Sequence, residues 1–398
     1  MKLFWYSLIG FLLGLGSGYY MIFFSPQTLV HLKRQLFSQQ VQVDPDQKQI
    51  IGFLPYWLID KAQPDYSDYV TTLTYFGLTI GVDGNIQYLA NEQEEEPGYH
   101  MLKSKQLKTM LSKAKEKDMM LSLLVFSGDS DVIEQLINNP LVHATNLVKD
   151  VSPIMKKYGF TDLNLDIEST RGASQEAQAN FTTFVKQVKK EVQKRKLGTV
   201  TVEITGNDLI RKNLIRPKDM AAIADYVVIM AYDFHYAGSI VTGAVAPLGG
   251  AESEAEFDTQ VVLQQAYRVI PKEKIILGVP SYGYAWETLH AVPKSATLPG
   301  SGLTMSNAKT ENFLKECSSC SAQLDAKAQE SYVIYKNQET GTYQQIFYPD
   351  RNAMQKKVEI ASQNNLAGLA IWALGYEAID MYRPLSSYKK DFVDFTRL

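Results

Sequence analysis

Phe160-Thr161-Asp162-Leu163-Asn164-Leu165-Asp166-Ile167-Glu168 alternates polar and apolar residues with period two. In a strand, that period sets Asp162, Asn164, Asp166 and Glu168 on one face and Leu163, Leu165 and Ile167 on the other. On a half-exposed antiparallel strand the polar face simply meets water. In a parallel barrel one face packs on helices and the other fills the barrel, so the polar row must project inward. Burying several carboxyls costs on the order of several kcal/mol unless protons and partners are arranged around them. A catalytic site and a structural polar network are the two arrangements that answer this cost.

Seven further apolar runs, rich in β-branched and aromatic residues, surround Leu163 to Ile167. They are Ile50 to Leu54, Thr72 to Leu78, Met120 to Phe126, Val200 to Thr205, Tyr226 to Tyr232, Ile275 to Val279 and Ala367 to Trp372. Helical patterns fill most of the intervals: Lys105 to Lys117, Val132 to Tyr158, Gln175 to Lys196, Glu256 to Ile270 and Asn352 to Asn364, each with apolar residues three and four apart on a charged background. Strands alternating with helices argue for parallel pairing, since parallel neighbours need a crossover that a helix supplies. Eight such units predict an α/β fold, a (β/α)8 TIM barrel. The competing architecture is a doubly wound open sheet, but no G-x-G-x-x-G follows the first strand.

In a barrel, reacting residues gather at the C-terminal ends of strands. Glu168 is nearest that end and Asp166 lies one step deeper. Neighbouring carboxyls on one strand face sit about 6 to 7 Å apart at their Cβ atoms, so repulsion and desolvation keep a proton on at least one of them. That makes a general acid. Both carboxyls approach a sugar from the same side, whereas the usual two-carboxylate glycosidase needs them flanking the bond. A nucleophile from the substrate is therefore expected.

The alternation is interrupted between strands seven and eight. Residues 287–348 open on Pro and Gly punctuation, include a short helix near Asn307 to Cys317, and continue as a hairpin, Ser331 to Tyr335 and Tyr343 to Tyr348, around Glu339-Thr340-Gly341. This predicts a small α+β insertion that walls one side of a groove.

Leu3 to Phe24 is a run of 22 residues without a charge, followed by a polar stretch from Ser38 to Gln49. The run is long enough, at roughly 33 Å of helix, to match the hydrocarbon thickness of a bilayer. An uncleaved membrane anchor is the favoured reading, with a cleaved signal peptide ending near Gly16 and Gly18 and a buried helix as rivals. The expected organisation is 1–24 anchor or signal peptide, 25–48 linker and 49–398 catalytic barrel. The corresponding localisation is the cell membrane with an outward-facing catalytic domain; the alternative is secretion.

Composition is that of an ordinary globular protein, 45% hydrophobic and 21% charged, and the formal net charge of -3 gives no basic footprint for nucleic acid. Cys317 and Cys320 form a lone C-x-x-C without a second ligand pair, which leaves a structural disulfide, a redox pair or two thiols. His31, His100, His143, His235 and His290 are scattered, with no H-E-x-x-H. No metal and no cofactor are expected; a neutral sugar polymer is an admissible partner.

The polar strand resembles the D-G-x-D-x-D-x-E signature of family 18 glycoside hydrolases, with Asn164, Asp166 and Glu168 on its last three functional positions. Thr161, Asp162, Asn164 and Ile167 depart from it. Met230-Ala231-Tyr232-Asp233 is similar to the Met-x-Tyr-Asp of the same family. Leu277-Gly278-Val279-Pro280-Ser281-Tyr282-Gly283-Tyr284-Ala285-Trp286 resembles its strand seven, Gly368-Leu369-Ala370-Ile371-Trp372 its strand eight, and Ile51-Gly52-Phe53-Leu54-Pro55-Tyr56-Trp57 its strand one, with Phe53 where a Tyr is frequent. The resemblance implies that Glu168 protonates the leaving oxygen. Asp166 then orients a 2-acetamido group whose carbonyl attacks the anomeric carbon, and Asn164 hydrogen-bonds Asp166 without being able to exchange a proton with it. It also implies that Tyr232 and Asp233 hold the acetamido group and sugar, that Trp372 floors the site, and that Phe53, Met230 and Tyr282 belong to the substrate-binding set. The chain looks most like the bacterial branch related to spore-cortex and cell-wall hydrolases. The implied activity is retaining hydrolysis of β-1,4-linked N-acetylglucosamine-containing glycans, chitin-type or peptidoglycan; the rival is a non-catalytic sugar-binding protein on the same barrel.

Overall fold

The computed structural model describes residues 48–251, 257–378 and 380–395, with side chains described through residue 390. Thirteen strands follow one another among these residues. In chain order they are β1 (Gln49–Pro55), β2 (Thr72–Thr79), β3 (Met120–Ser127), β4 (Asp162–Ile167), β5 (Thr199–Thr205), β6 (Tyr226–Met230), β7 (Ile275–Pro280), β8 (Tyr282–Thr288), β9 (Leu303–Ser306), β10 (Gln323–Asp325), β11 (Glu330–Lys336), β12 (Tyr343–Tyr348) and β13 (Gly368–Trp372). Strands β1 to β7 and β13 form a closed barrel in the order β1-β13-β7-β6-β5-β4-β3-β2. Pairing of β1 with both β13 and β2, parallel in each case, closes the ring and excludes the open sheet.

The outer helices begin where the chain offers an oxygen to their orphan N–H groups. Ser104, Ser174 and Asp350 each accept from the backbone N–H three residues on, at the starts of Lys105–Glu116, Gln175–Lys194 and Arg351–Gln363. The periodic run Val132 to Tyr158 is two helices, Ser130–Leu136 and Pro140–Tyr158. Pro140 has no N–H to give a preceding turn but fits the first turn of a new helix, and the apolar period runs on across this break. Gly159, at φ 76°, then ends the second helix in the left-handed conformation. The face of that helix carrying Leu147, Val148, Val151 and Met155 packs with Phe181, Phe184, Val185 and Val188 of Gln175–Lys194 in one core with the outward-facing strand residues.

The insertion is a five-stranded antiparallel sheet, β10-β11-β12-β8-β9, with the helix Asn307–Glu316 between β9 and β10. It starts earlier than expected. Only Ser281 separates β7 from β8, so Tyr282-Gly283-Tyr284 belongs to the inserted sheet and not to a long seventh barrel strand. Gly283 is required where β8 crosses β12, because a Cβ there would lie 2.0 Å from the Phe347 carbonyl oxygen. Cys317 and Cys320 form a disulfide just past the inserted helix.

Two buried side chains of opposite charge, both bonded to Ala246, tie sheet and barrel together. Glu330 of β11 accepts from the backbone N–H groups of Val245 (2.8 Å) and Ala246 (2.9 Å), while Lys357 donates to the Ala246 carbonyl (2.6 Å) and to Thr259 Oγ1 (2.8 Å). Burial pushes Glu330 up to about 7 and Lys357 down to about 8, each opposed by the partner's charge.

One expectation is corrected. Among the described residues no helix is long and apolar enough to cross a membrane. The membrane helix, the membrane partner and the cell-membrane localisation are therefore withdrawn, and Leu3 to Phe24, the stretch that suggested them, lies outside the described residues.

Candidate active site

The C-terminal ends of β1, β2, β4, β6 and β13 open into a cavity of about 420 Å³ whose lining includes Phe53, Trp57, Asp166, Glu168, Tyr232 and Trp372. A second cavity of similar volume adjoins the first at Glu168 and is lined also by Thr205, Asn207, Arg211, Phe234, Tyr236 and Phe257. Glu168, Met230, Tyr232 and Asp233 line both. Glu168 thus stands at the wall where the two halves of a cleft meet.

Glu168 directly follows β4, and its backbone N–H donates to the Ser127 carbonyl at 2.8 Å, which continues the strand pairing up to the acid. Desolvation and the charges of Asp208 and Asp233 push its carboxyl up to about 6. Asp166 is 5% exposed; burial first, and then the charge of Glu168, push its carboxyl well above the usual range. Asp166 Oδ1 has no hydrogen-bond partner among the described residues.

Asn164 departs from expectation. Fully buried, it donates from Nδ2 to Glu203 Oε1 of β5 at 2.7 Å, not to Asp166, and its own Oδ1 is unpartnered among the described residues. The reason is register: the pairing of Leu165 with Val202 puts Glu203 on the inward face beside the polar row of β4. Asp162, deepest in the row, is satisfied by Ser122 (2.7 Å), Thr199 (2.6 Å) and Thr201 (3.1 Å), which makes it a structural anchor at the barrel floor.

Asp233 accepts from the hydroxyls of Tyr282 (2.5 Å) and Tyr284 (2.9 Å). The two tyrosines flank Gly283 on β8, so the inserted sheet reaches the cleft by holding the Asp233 carboxylate. Asp233 itself has φ 60°, a left-handed turn that ends the run of β6 and swings its side chain back toward the cavity. Trp372 ends β13 and contacts Phe76 (ring centroids 5.1 Å), Phe53 (5.7 Å) and Trp57 (6.3 Å), giving the cavity an aromatic wall.

The structure gathers Phe53, Asp166, Glu168, Met230, Tyr232, Asp233 and Trp372 at one cavity, with Asn164 beneath it and Tyr282 behind Asp233. Sequence reasoning missed Glu203, Arg211 and the exposed ring of Trp57. Glu203 left a signal: a carboxylate in the middle of the apolar run Val200 to Thr205, in phase with inward Thr199 and Thr201.

Residues 49–377 match glycosyl hydrolases family 18. The chain belongs to that family. Among curated relatives, the chain is 26% identical over 315 residues to the sporulation-specific glycosylase YdhD of Bacillus subtilis, covering 78% of this chain and 67% of that one. It is 24% identical over 253 residues to the cortical fragment-lytic enzyme of Bacillus subtilis, covering 62% of this chain and 54% of that enzyme, so it spans about half of that relative. The same barrel is seen in the group IV chitinase of Ostrinia furnacalis in complex with allosamidin, with a TM-score of 0.73 and 19% identity over 87% of this chain and 99% of that one. It is seen again in the Bacillus cereus spore cortex-lytic enzyme SleL, with a TM-score of 0.68 and 17% identity over 86% of this chain and 74% of that one. At these identities the two structures speak for the fold.

Proposed function

We propose that this family 18 chain is a retaining glycoside hydrolase that cleaves β-1,4 glycans containing N-acetylglucosamine, with Glu168 as acid/base and the substrate's own acetamido carbonyl as nucleophile. One observation carries the reading: a carboxyl raised to about 6 stands at the meeting of two cavities, so a bond spanning them lies at a group that holds a proton near neutrality. Asp166 supports it. It lines the same cavity, and its carboxyl offers an acceptor to an acetamido N–H, which fixes the carbonyl for attack from the side opposite the acid. Tyr232 and Asp233 close around the same group, and Trp372 presents a ring face to the apolar side of a pyranose.

A glycan carrying carboxylates, as peptidoglycan does, is favoured over chitin by Arg211. It is the cation among the residues that line the two cavities, and a guanidinium pairs with carboxylates through two parallel hydrogen bonds.

A second reading, sugar binding without cleavage, is favoured by Asn164, which cannot trade a proton with Asp166. The two readings share a barrel cleft that takes N-acetylglucosamine units. Incubation of the full chain with chitin oligomers and with peptidoglycan, followed by mass analysis of products, separates them. Cleavage with inhibition by a thiazoline mimic of the cyclised acetamido group supports the hydrolase. Saturable binding with no product establishes the second reading, and hydrolysis at a sugar bearing a free 2-amino group refutes substrate assistance.

A further inference from the structure

Glu203 has no place in the motif that marks the site, yet it lies at the centre of it. It is 2% exposed, it lines the cavity beside Asp166 and Glu168, and one carboxyl oxygen accepts from Asn164 at 2.7 Å. Its charged surroundings are uniformly acidic. Asp162, Asp166 and Glu168 face it from the β4 side, and Tyr232 from the segment after β6; among the described residues that line its cavity there is no cation. The register that pairs Leu165 with Val202 sets Glu203 level with Asp166 on adjacent strands, both lining one cavity; neighbouring buried carboxyls without a counter-charge do not both ionise at neutral pH and titrate as a pair.

We propose that Glu203 is a positioning residue that shares one proton with Asp166, supplying from β5 the exchangeable carboxyl that Asn164 withholds on β4. This rests on the hydrolase reading. In the empty cleft the pair holds one proton and one negative charge. When an acetamido N–H reaches Asp166, the proton leaves the Asp166 carboxyl and joins the Glu203 carboxylate. Asp166 is left as the acceptor, and the pair keeps its single negative charge. Glu203 touches no reacting atom; it sets the protonation state of the residue that does. Burial and the neighbouring charge of Asp166 both push Glu203 well above the usual carboxyl range, in keeping with a proton-holding role.

The test compares wild type, Glu203→Gln and the double variant Asn164→Asp with Glu203→Gln, all as full chain. Gln keeps the shape and the acceptor for Asn164 but cannot take up a proton. The expected result is a loss of kcat of tenfold or more in Glu203→Gln, with the acidic limb of the pH profile moved down by about one unit as a like-charged neighbour is removed. In the double variant, a carboxyl restored on β4 recovers most of kcat. Unchanged kcat and pH profile in Glu203→Gln overturn the proposal, as does a loss of kcat that the double variant does not recover. A readout free of turnover separates failure here from failure of the hydrolase reading: carbon-13 NMR titration of the wild-type carboxyls. Asp166 and Glu203 are expected to titrate together above the usual range even if no glycan is cut. A Glu203 carboxyl titrating singly near its ordinary 4.5 overturns the shared proton whatever the activity.

Discussion

Glu168→Gln tests in one variant whether the weakened acidity of the Glu168 carboxyl is held for chemistry at the expense of the fold. In the folded chain the carboxyl titrates at about 6 against an ordinary value of 4.5. At pH 7 about one molecule in ten then carries the proton, where an unshifted glutamic acid would carry it in about three per thousand. The same shift acts on stability. A group whose folded value is raised binds more protons in the folded state, so its contribution is fully present below about 4.5 and is lost as pH rises through about 6. The difference of about one and a half units, at about 1.4 kcal/mol per unit, is about 2 kcal/mol, which partial exposure to solvent reduces to about 1 to 2 kcal/mol. Gln has no charge to desolvate, so the variant is expected to melt roughly 2 °C above wild type at pH 7.5 and to show no gain at pH 4.5. Its kcat is expected to fall by about 10² to 10⁴ with sugar binding retained. The assays are thermal melts at both pH values and the pH profile of kcat/KM on a chito-oligomer or peptidoglycan fragment, whose descending limb should lie near pH 6 in wild type. A variant that keeps wild-type kcat refutes the acid. One that loses activity but melts lower at pH 7.5 than wild type refutes the electrostatic account of why the acid is poised there.

Trp372→Phe is expected to leave the barrel folded, since Phe53, Trp57 and Phe76 still pack on the smaller ring, while KM for oligomers rises about tenfold, equivalent to about 1.4 kcal/mol of sugar contact; unchanged KM would remove Trp372 from the floor of the site. Arg211→Ala should weaken cleavage or binding of carboxylate-bearing glycans about tenfold and leave neutral chitin oligomers within about twofold, as competition between the two substrates would report. Lys357→Met leaves Glu330 buried without its counter-charge and is expected to cost about 3 to 5 kcal/mol in denaturant unfolding. The added Glu330→Gln should recover part of that loss, and a Lys357→Met chain as stable as wild type would show the pair to be idle.

The barrel was legible because its signal is periodic and local. Each of the eight runs read from the sequence corresponds to a barrel strand, with small differences at the ends, since apolar β-branched stretches between amphipathic helices leave few alternatives. What was misread depends on tertiary context. Val132 to Tyr158 kept its apolar period across the break before Pro140, so the pattern concealed the join. Tyr282 to Trp286 is apolar enough to be a barrel strand, and only the antiparallel pairing of β8 with β12 reveals that the chain has already left the ring. At the site, Asp166 and Glu168 stood out through alternation on a single strand. Their neighbours Glu203, Arg211 and Trp57 come from other elements, and period-two reasoning along β4 says nothing about what the adjacent strand places opposite. The partner of Asn164 was missed for the same reason: it is chosen by the register between β4 and β5.

The inserted sheet begins one residue after a barrel strand, and two of its tyrosines hold the carboxylate at the cleft. Loops on a barrel are ordinarily interchangeable parts, exchanged while the ring stays as it was. Here the exchange carries a condition. A transplanted loop between β7 and β13 that lacks the Tyr282 and Tyr284 hydroxyls strips Asp233 of both donors, and one that lacks Glu330 leaves Lys357 a buried cation without its opposite charge. For protein engineering, the segment from Tyr282 to Tyr348 is therefore inherited as a block, and the parts of this barrel free to vary its specificity lie elsewhere on the rim, around Trp57 and Arg211.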